Sequence, residues 1–470
     1  MKFSSLDSFV NHLILSMENK DESFKILDIT DPMTENQLEE EDSRFDLTVE
    51  ASFDSDTVVR LLQAARKSPH VNELFLGYIE MDHEIAMALV DLFHEDRIWK
   101  RLTLQGCPDN ITEVCTTLLV ARGNIESMCI YQNDLEYHGF CSLGMILASN
   151  PKHLTTLDLD EYLLSEGAAA LAEGLKRNQT LKVLDLHDCR FIGEAASLMA
   201  EGFRSNFHLQ ILQLSHCELG DNEVAELLES LKDHPAIEAI FVDCNYCGSK
   251  TSQALSSMLT DNRTPKLQKL SVRHQHDARS EFRTSDIQAT LDIDTLSSSL
   301  SRNSCLQDLC LTQNRLNLQE LATLMAGVKE SDIRILHMDT CGITDEGVEI
   351  IVANLPSRLE RLFLTDNLFS NETSEKHLLA TIRTNTSLQH LHIGLDHSCR
   401  WEVDHYARLN RGGRRALSTS SNVPLGLWAP ILARVNAIDW NTLYGPGKGF
   451  REDVIFFLLE GCILQERRFA

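Results

Sequence analysis

The chain has 470 residues with 70 acidic against 43 basic, a formal net charge of −27. That field repels phosphate backbones and anionic lipid, which disfavours nucleic acid and excludes generic membrane-surface attraction, and it suits a basic protein partner. With 43% hydrophobic residues the chain is globular, no apolar run is long enough to span a bilayer, and the length exceeds one ordinary core unless the fold grows as an array.

The first segment, MKFSSLDSFVNHLILSMENK, breaks its apolar pattern at Asp7, Asn11 and His12. It reads as an amphipathic helix capped near Ser4 or Ser5, not as a signal peptide. FKILDI (24 to 29) is a strand candidate and QLEEEDS (37 to 43) a solvated loop. Residues 1–46 therefore form the expected N-terminal cap.

A single pattern then dominates. It runs through VNELFLGYI (71 to 79), WKRLTLQGC (99 to 107), IESMCIYQN (125 to 133), LTTLDLDEY (154 to 162), LKVLDLHDC (181 to 189), LQILQLSHC (209 to 217) and IEAIFVDCN (237 to 245). It continues with LQKLSVRHQ (267 to 275), LQDLCLTQN (306 to 314), IRILHMDTC (333 to 341), LERLFLTDN (359 to 367) and LQHLHIGLD (388 to 396). Each copy is an apolar residue, two variable ones, then apolar-x-apolar, with the anchor at 74, 102, 128, 157, 184, 212, 240, 270, 309, 336, 362 and 391, and a weaker match at Leu47. Between copies, apolar residues four apart predict helices: Leu171 with Leu175, Met199 with Phe203, Leu227 with Leu231, Ile351 with Leu355.

Five residues past the anchors stand Cys107, Asn133, Cys189, Cys217, Asn245, Asn314, Cys341 and Asn367, while Ile79, Tyr162, Gln275 and Asp396 depart from the rule. This spacing resembles the leucine-rich-repeat family, in its long, ribonuclease-inhibitor-like form. The resemblance implies an α/β solenoid: a curved horseshoe with a parallel β-sheet on its concave face, helices on its convex face, repeats over 47–398 and a helical C-terminal cap over 399–470. The Asn and Cys positions form a structural turn ladder, because a backbone leaving the sheet loses strand partners that a buried polar side chain restores, at a stake of about 1 to 3 kcal/mol per unsatisfied group.

Residues beside the anchors point away from the core. The one between the two anchors reads Phe75, Thr103, Cys129, Asp158, Asp185, Gln213, Phe241, Ser271, Cys310, His337, Phe363 and His392. The next outward column includes Tyr131, Asp160, His187 and Asp243. Carboxylates beside a histidine can serve acid–base chemistry or a metal, but on an open sheet they make an acidic contact patch, and aromatics there are binding anchors. The expected partner-binding residues are Tyr131, Asp158, Asp160, Asp185, His187, Gln213, Phe241, Asp243 and Phe363.

Other motifs carry less. CNYC (244 to 247) is a lone CxxC whose Cys247 fills the slot held elsewhere by Leu219, Leu316 and Ile343, so it belongs to the core. RHQHDARSEFR (273 to 283) sits in the overlong repeat; His274 and His276 lack further ligands for a metal, and Arg273, Arg279 and Arg283 are candidate partner contacts. YGPGKGFRED (444 to 453) fails the spacing of a nucleotide loop and reads as a connection capped by Asp453. RLNRGGRRAL (408 to 417) begins where the period stops, with Tyr406, Leu409 and Leu417 as a capping stripe, Gly412-Gly413 as helix terminator, and the arginines facing an acidic solenoid and solvent. VPLGLWAPILARVN then adds Leu427, Trp428, Ile431 and Leu432 as a second stripe. This tail looks like one recurring in uncharacterised leucine-rich-repeat families of diatoms, and faintly like F-box or SOCS-box helices.

The resulting expectation is a monomeric, non-enzymatic scaffold for a basic protein partner, without cofactor or metal, in the cytoplasm or nucleus, where its thirteen cysteines stay reduced. The alternatives are a ubiquitin-ligase substrate receptor acting through the C-terminal helices, or a Ran-type GTPase-activating regulator.

Overall fold

The computed structural model describes residues 2–3, 6–18, 25–30, 46–47, 53–94, 97–107, 124–273, 290–369, 372–394 and 400–411. The acidic run 37–43, the insertion beyond Arg273, and the terminal motifs from Gly412 onward lie outside them. The described chain falls into two compact units, residues 1–254 with 263–267, and 255–262 with 268–470.

In the first unit eight parallel strands follow one another in chain order: β1 (Ile26–Thr30), β2 (Glu73–Gly77), β3 (Trp99–Gln105), β4 (Ile125–Tyr131), β5 (Thr156–Asp160), β6 (Val183–Asp185), β7 (Ile211–Gln213) and β8 (Ala239–Phe241). The second unit repeats the plan with β9 (Lys269–Ser271), β10 (Asp308–Cys310), β11 (Ile335–His337), β12 (Arg361–Phe363) and β13 (His390–His392). Helices occupy most intervals, Ser165–Arg177 and Ala195–Ser205 among them. A parallel pair needs such a crossover, which is why strand and helix alternate.

The apolar-x-apolar core sets the register. Leu74 pairs with Leu102, Leu157 with Leu184 and Leu309 with Leu336, and these anchors are all buried. Leu171, Leu175, Met199, Phe203, Leu227 and Leu231 are buried too, as their four-residue spacing predicts. Leu355 departs: its helix ends at Ala353, and Pro356 disfavours helical backbone in the residue before it. The match at Leu47 is also corrected. Among the described residues Leu47 pairs with Phe3 in a two-residue ladder, whereas Leu27 and Ile29 of the ILDIT segment pair with Leu74 and Leu76 and are buried. The sheet thus starts inside the region read as a cap.

Close helix packing in the first unit rests on missing side chains. A Cβ on Gly144 would lie 2.3 Å from the Ala170 carbonyl oxygen, one on Gly174 2.5 Å from that of Gly144, and one on Gly202 2.9 Å from the Ala172 Cα. Helix capping is conventional, with Asp54 accepting from the Thr57 amide and Asp82 from the Ile85 amide, both at 2.9 Å.

Two ladders stitch successive repeats. At the strand exits, Asn133 accepts from the Cys107 amide at 2.8 Å and donates to the Leu104 carbonyl at 3.0 Å. Asn245 accepts from the Cys217 and Leu219 amides at 3.2 and 3.1 Å and donates to Leu214 at 2.7 Å. In the second unit Asn367 does the same for Cys341, Ile343 and Met338, and Asn314 donates to Val272. The cysteines reach backward as well, Cys189 to the Leu159 carbonyl, Cys217 to Leu186 and Cys341 to Leu311, at 3.2, 3.0 and 3.2 Å. Burial pushes the Cys107 thiol up to about 11 and that of Cys341 to about 12, so both stay protonated donors.

The second ladder lies past the helices. Asn178 accepts from the Thr180 and Leu181 amides and donates to the Leu147 carbonyl, and Asn206 accepts from His208 and Leu209 while donating to Leu175. Asn303 fills the same role in the second unit, and Asn385 accepts likewise from the Ser387 and Leu388 amides. Where the slot holds His234, its Nδ1 accepts from Ala236 and Ile237, and burial pulls its pKa down to about 4, keeping that nitrogen free to accept.

Candidate functional site

The strand exits place one recurrent irregularity. The residue before each ladder position is left-handed: Gln132, Asp188, His216, Cys244, Gln313, Thr340 and Asp366 have φ between 55° and 64°. Simple alternation would turn these side chains toward the core. The left-handed backbone redirects Gln132 and Asp188 onto the outer strand face, where they join residues from β3 to β7 around an open cavity of about 420 Å³.

Gln105, Tyr131, Gln132, Asp158, Asp160, Asp185, His187, Asp188 and Gln213 line that cavity. Asp158 and Asp185 are direct register partners on β5 and β6. The Tyr131 hydroxyl donates to Asp158, the His187 amide donates to Asp185 at 3.0 Å, and His187 Nε2 lies 3.2 Å from an Asp188 oxygen. The His187 ring meets the edge of His216 at 4.9 Å.

Burial raises the Asp158, Asp160 and Asp185 carboxyls above their ordinary range, with Asp188 adding to the rise at Asp160 and Asp158 to that at Asp185. Burial and the neighbouring Asp158 also raise the Tyr131 phenol, so it remains a hydrogen-bond donor. Arg101 and His187 draw Asp158 the other way without reversing the shift. Among the described residues no lysine or arginine forms an ion pair with Asp158, Asp160, Asp185 or Asp188. Four carboxylates crowded on one face repel one another, and a cation placed among them would relieve that repulsion.

Six of the expected partner-binding residues, Tyr131, Asp158, Asp160, Asp185, His187 and Gln213, therefore come together. Phe241 and Asp243 stand half-buried at and just beyond β8 without lining the cavity, and Phe363 belongs to the second unit. Gln105 sits in the outward column; Gln132 and Asp188 were hidden by the left-handed turn. On the same face Thr103, Cys129 and Ser215 are buried, as is Ser271 in the second unit, so the columns are not uniformly in water.

Glu161 replaces Tyr162 in the ladder. It is 4% exposed, and its carboxylate accepts from the Asn133 amide at 2.7 Å and the Leu135 amide at 3.1 Å. Burial raises its pKa against those two donors. A carboxylate one bond longer than Asn spans the turn from one position earlier, and Tyr162 is left exposed. Cys247 is buried and its thiol is pushed up to about 12 by burial, in keeping with a core residue. Arg273 donates to Gln313 at 3.0 Å, while His274, His276, Arg279 and Arg283 lie outside the described residues. No three or more His, Cys, Asp or Glu side chains among the described residues are arranged to hold a metal ion.

At the end of the second unit, the helix Arg400–Arg411 packs beside β13 with Val403, Ala407 and Leu409 buried. Asn410 donates to the Asn385 and Leu388 carbonyls at 2.9 and 2.8 Å. Of the arginines, Arg408 is buried and Arg411 lies against His390 of the last described strand, while Arg414 and Arg415 lie outside the described residues. The glycines Gly412 and Gly413 lie outside the described residues.

Parallel strands in chain order, a helix in most crossovers, and an Asn/Cys ladder at the strand exits make this fold a leucine-rich-repeat solenoid, an architecture that typically serves as a binding scaffold. No family model and no curated protein matches the chain. Among solved structures it is similar to an internalin of Listeria monocytogenes, at 13% identity over 68% of this chain and 90% of that one, with a TM-score of 0.35. It is also similar to a protein of Bacteroides fragilis, at 16% identity over 60% of this chain and 71% of that one, with a TM-score of 0.33. No helix among the described residues is long and apolar enough to cross a membrane.

Proposed function

We propose that this protein is a non-catalytic interaction scaffold, of the long, ribonuclease-inhibitor-like repeat subtype, that receives a basic segment of a protein partner on the strand face of its first unit. The observation that carries the reading is the cavity holding Asp158, Asp160, Asp185 and Asp188 with no lysine or arginine of the described chain paired to them. A lysine or arginine side chain entering there gains several carboxylates at once, and Tyr131, Gln105, Gln132 and Gln213 supply polar contacts around it. The cavity opens to solvent, which favours recognition over chemistry.

The test is affinity purification of the full chain with mass spectrometry, beside Asp158→Lys/Asp185→Lys and the milder Asp158→Asn/Asp185→Asn. Partner recovery should fall with rising salt, weaken in the amide pair and vanish in the lysine pair, without any lowering of the melting temperature. Undiminished recovery by both variants would refute the reading.

A further inference from the structure

The second unit carries a different outer face. His337, Phe363 and His392 share one register position on β11, β12 and β13. His337 and Phe363 stack at 4.2 Å with planes 7° from parallel, and Phe363 meets His392 at 5.5 Å and 44°. Phe363 is half-buried and His392 exposed, so the strip presents ring edges and one open ring to solvent. A phenyl group on the outer face of a sheet has no core to join, and here it lies between two imidazole rings.

The charges around the strip are unevenly used. Asp308 is held by Lys269 at 3.2 Å and His337 at 3.4 Å, which outweigh burial and keep its pKa low. Asp339 accepts from the Thr365 amide at 2.8 Å and the Thr365 hydroxyl at 2.6 Å. Arg334 pairs with Glu360 at 3.2 Å. Arg361, one register step from Phe363, is exposed and forms no ion pair among the described residues. His390 registers the local field: burial first, then Arg411 and Arg361, pull its pKa down to about 4. Arg361 and Arg411 thus place positive charge beside β13, in a chain of net charge −27.

We propose that the His337–Phe363–His392 strip, with Arg361 at its side, docks a short acidic peptide segment bearing an aromatic residue, presented by a protein partner. The aromatic residue extends the ring ladder, and the acidic residues meet Arg361. A polynucleotide is disfavoured because each phosphate along it meets the repulsion of the whole chain, whereas a short peptide brings only a few charges. The proposal rests on residues of the second unit alone and stands independently of the aspartate cavity.

The experiment selects a displayed random-peptide library in parallel on immobilised full chain, on Phe363→Ser/Arg361→Glu, and on Asp158→Asn/Asp185→Asn. One enriched peptide is then fluorescein-labelled and titrated by anisotropy. Sequences combining Asp or Glu with Trp, Tyr or Phe should be enriched on the parent and the cavity variant and lost on the strip variant, with Kd weakened about tenfold or more. Arg361→Gln, which changes one exposed side chain, serves where the double variant loses its melting transition, and should weaken Kd measurably. Equal enrichment on parent and strip variant, absence of acidic-aromatic sequences, or a labelled single-stranded oligonucleotide whose binding depends on Phe363 and Arg361 would each overturn the proposal.

Discussion

The turn ladder makes its strongest prediction at Asn245. Its side chain accepts from two buried amides, Cys217 and Leu219, and donates to Leu214, Val242 and Asp243. Asn245→Ala leaves both amides without that acceptor, and at about 1 to 3 kcal/mol per buried unsatisfied group the loss should reach about 2 to 6 kcal/mol. Cys217 occupies the equivalent position one repeat earlier but differs in what its removal leaves behind. Its thiol donates to Leu186 and Ser215, and those carbonyls also accept from the Cys189 and Asp188 amides, both at 3.1 Å. Cys217→Ala therefore orphans nothing and should cost about 1 kcal/mol, mainly lost packing. Urea unfolding of the full chain followed by circular dichroism measures both. Losses that agree to within about 0.5 kcal/mol, comparable to the departure from additivity seen between independent sites, would refute the hydrogen-bond explanation of the ladder.

Three further tests follow from other parts of the molecule. Asp158 and Asp185 hold their protons above the ordinary value of 3.8, so the folded chain binds protons more tightly than the unfolded one and the ionised cavity destabilises it once pH exceeds the raised values. Asp158→Asn/Asp185→Asn should melt above the parent at pH 7, and the gap should close as pH falls through the raised values toward 3.8; a gap that widens on acidification contradicts this. Gly174→Ala should cost about 2 kcal/mol or more by forcing helices apart, whereas Gly342→Ala, with nothing within 4 Å but a φ of 74°, should cost about 1 kcal/mol; thermal melts would show the reverse order if backbone strain outweighed packing. Asn410→Ala removes two bonds to the last described repeat, so amide exchange over residues 388–392 should quicken about tenfold, and unchanged protection would deny the terminal helix its capping role.

Much of this architecture is legible in the chain because burial enforces it. The anchors at Leu74, Leu184 and Leu336 must face the core, and a one-residue slip would expose them, so the period survives as a readable pattern. Leu47 misled because two apolar positions are too few to distinguish a repeat strand from a short ladder, while Leu27 and Ile29 carried the same pattern 47 residues before Leu74 and Leu76. The helix-end ladder was also present as Asn-x-x-Leu at Asn178, Asn206, Asn303 and Asn385, a signal open to the same search for self-similarity. Asp188 and Gln132 were not accessible to alternation, because a left-handed residue reverses the side its side chain takes. Glu161 escaped for a different reason: side-chain length compensated for a shift of one position, which no fixed spacing rule detects.

The exit ladder also has a direction. Asn133 completes the turn at Cys107, Asn245 the turn at Cys217 and Asn367 the turn at Cys341, in each case from the repeat that comes later in the chain. During synthesis these three repeats therefore cannot close their own turns as they leave the ribosome; each waits for the next strand to emerge. Folding of the nascent chain should trail its elongation by one repeat, and a pause in translation would hold the newest repeat open with its buried amides still hydrated.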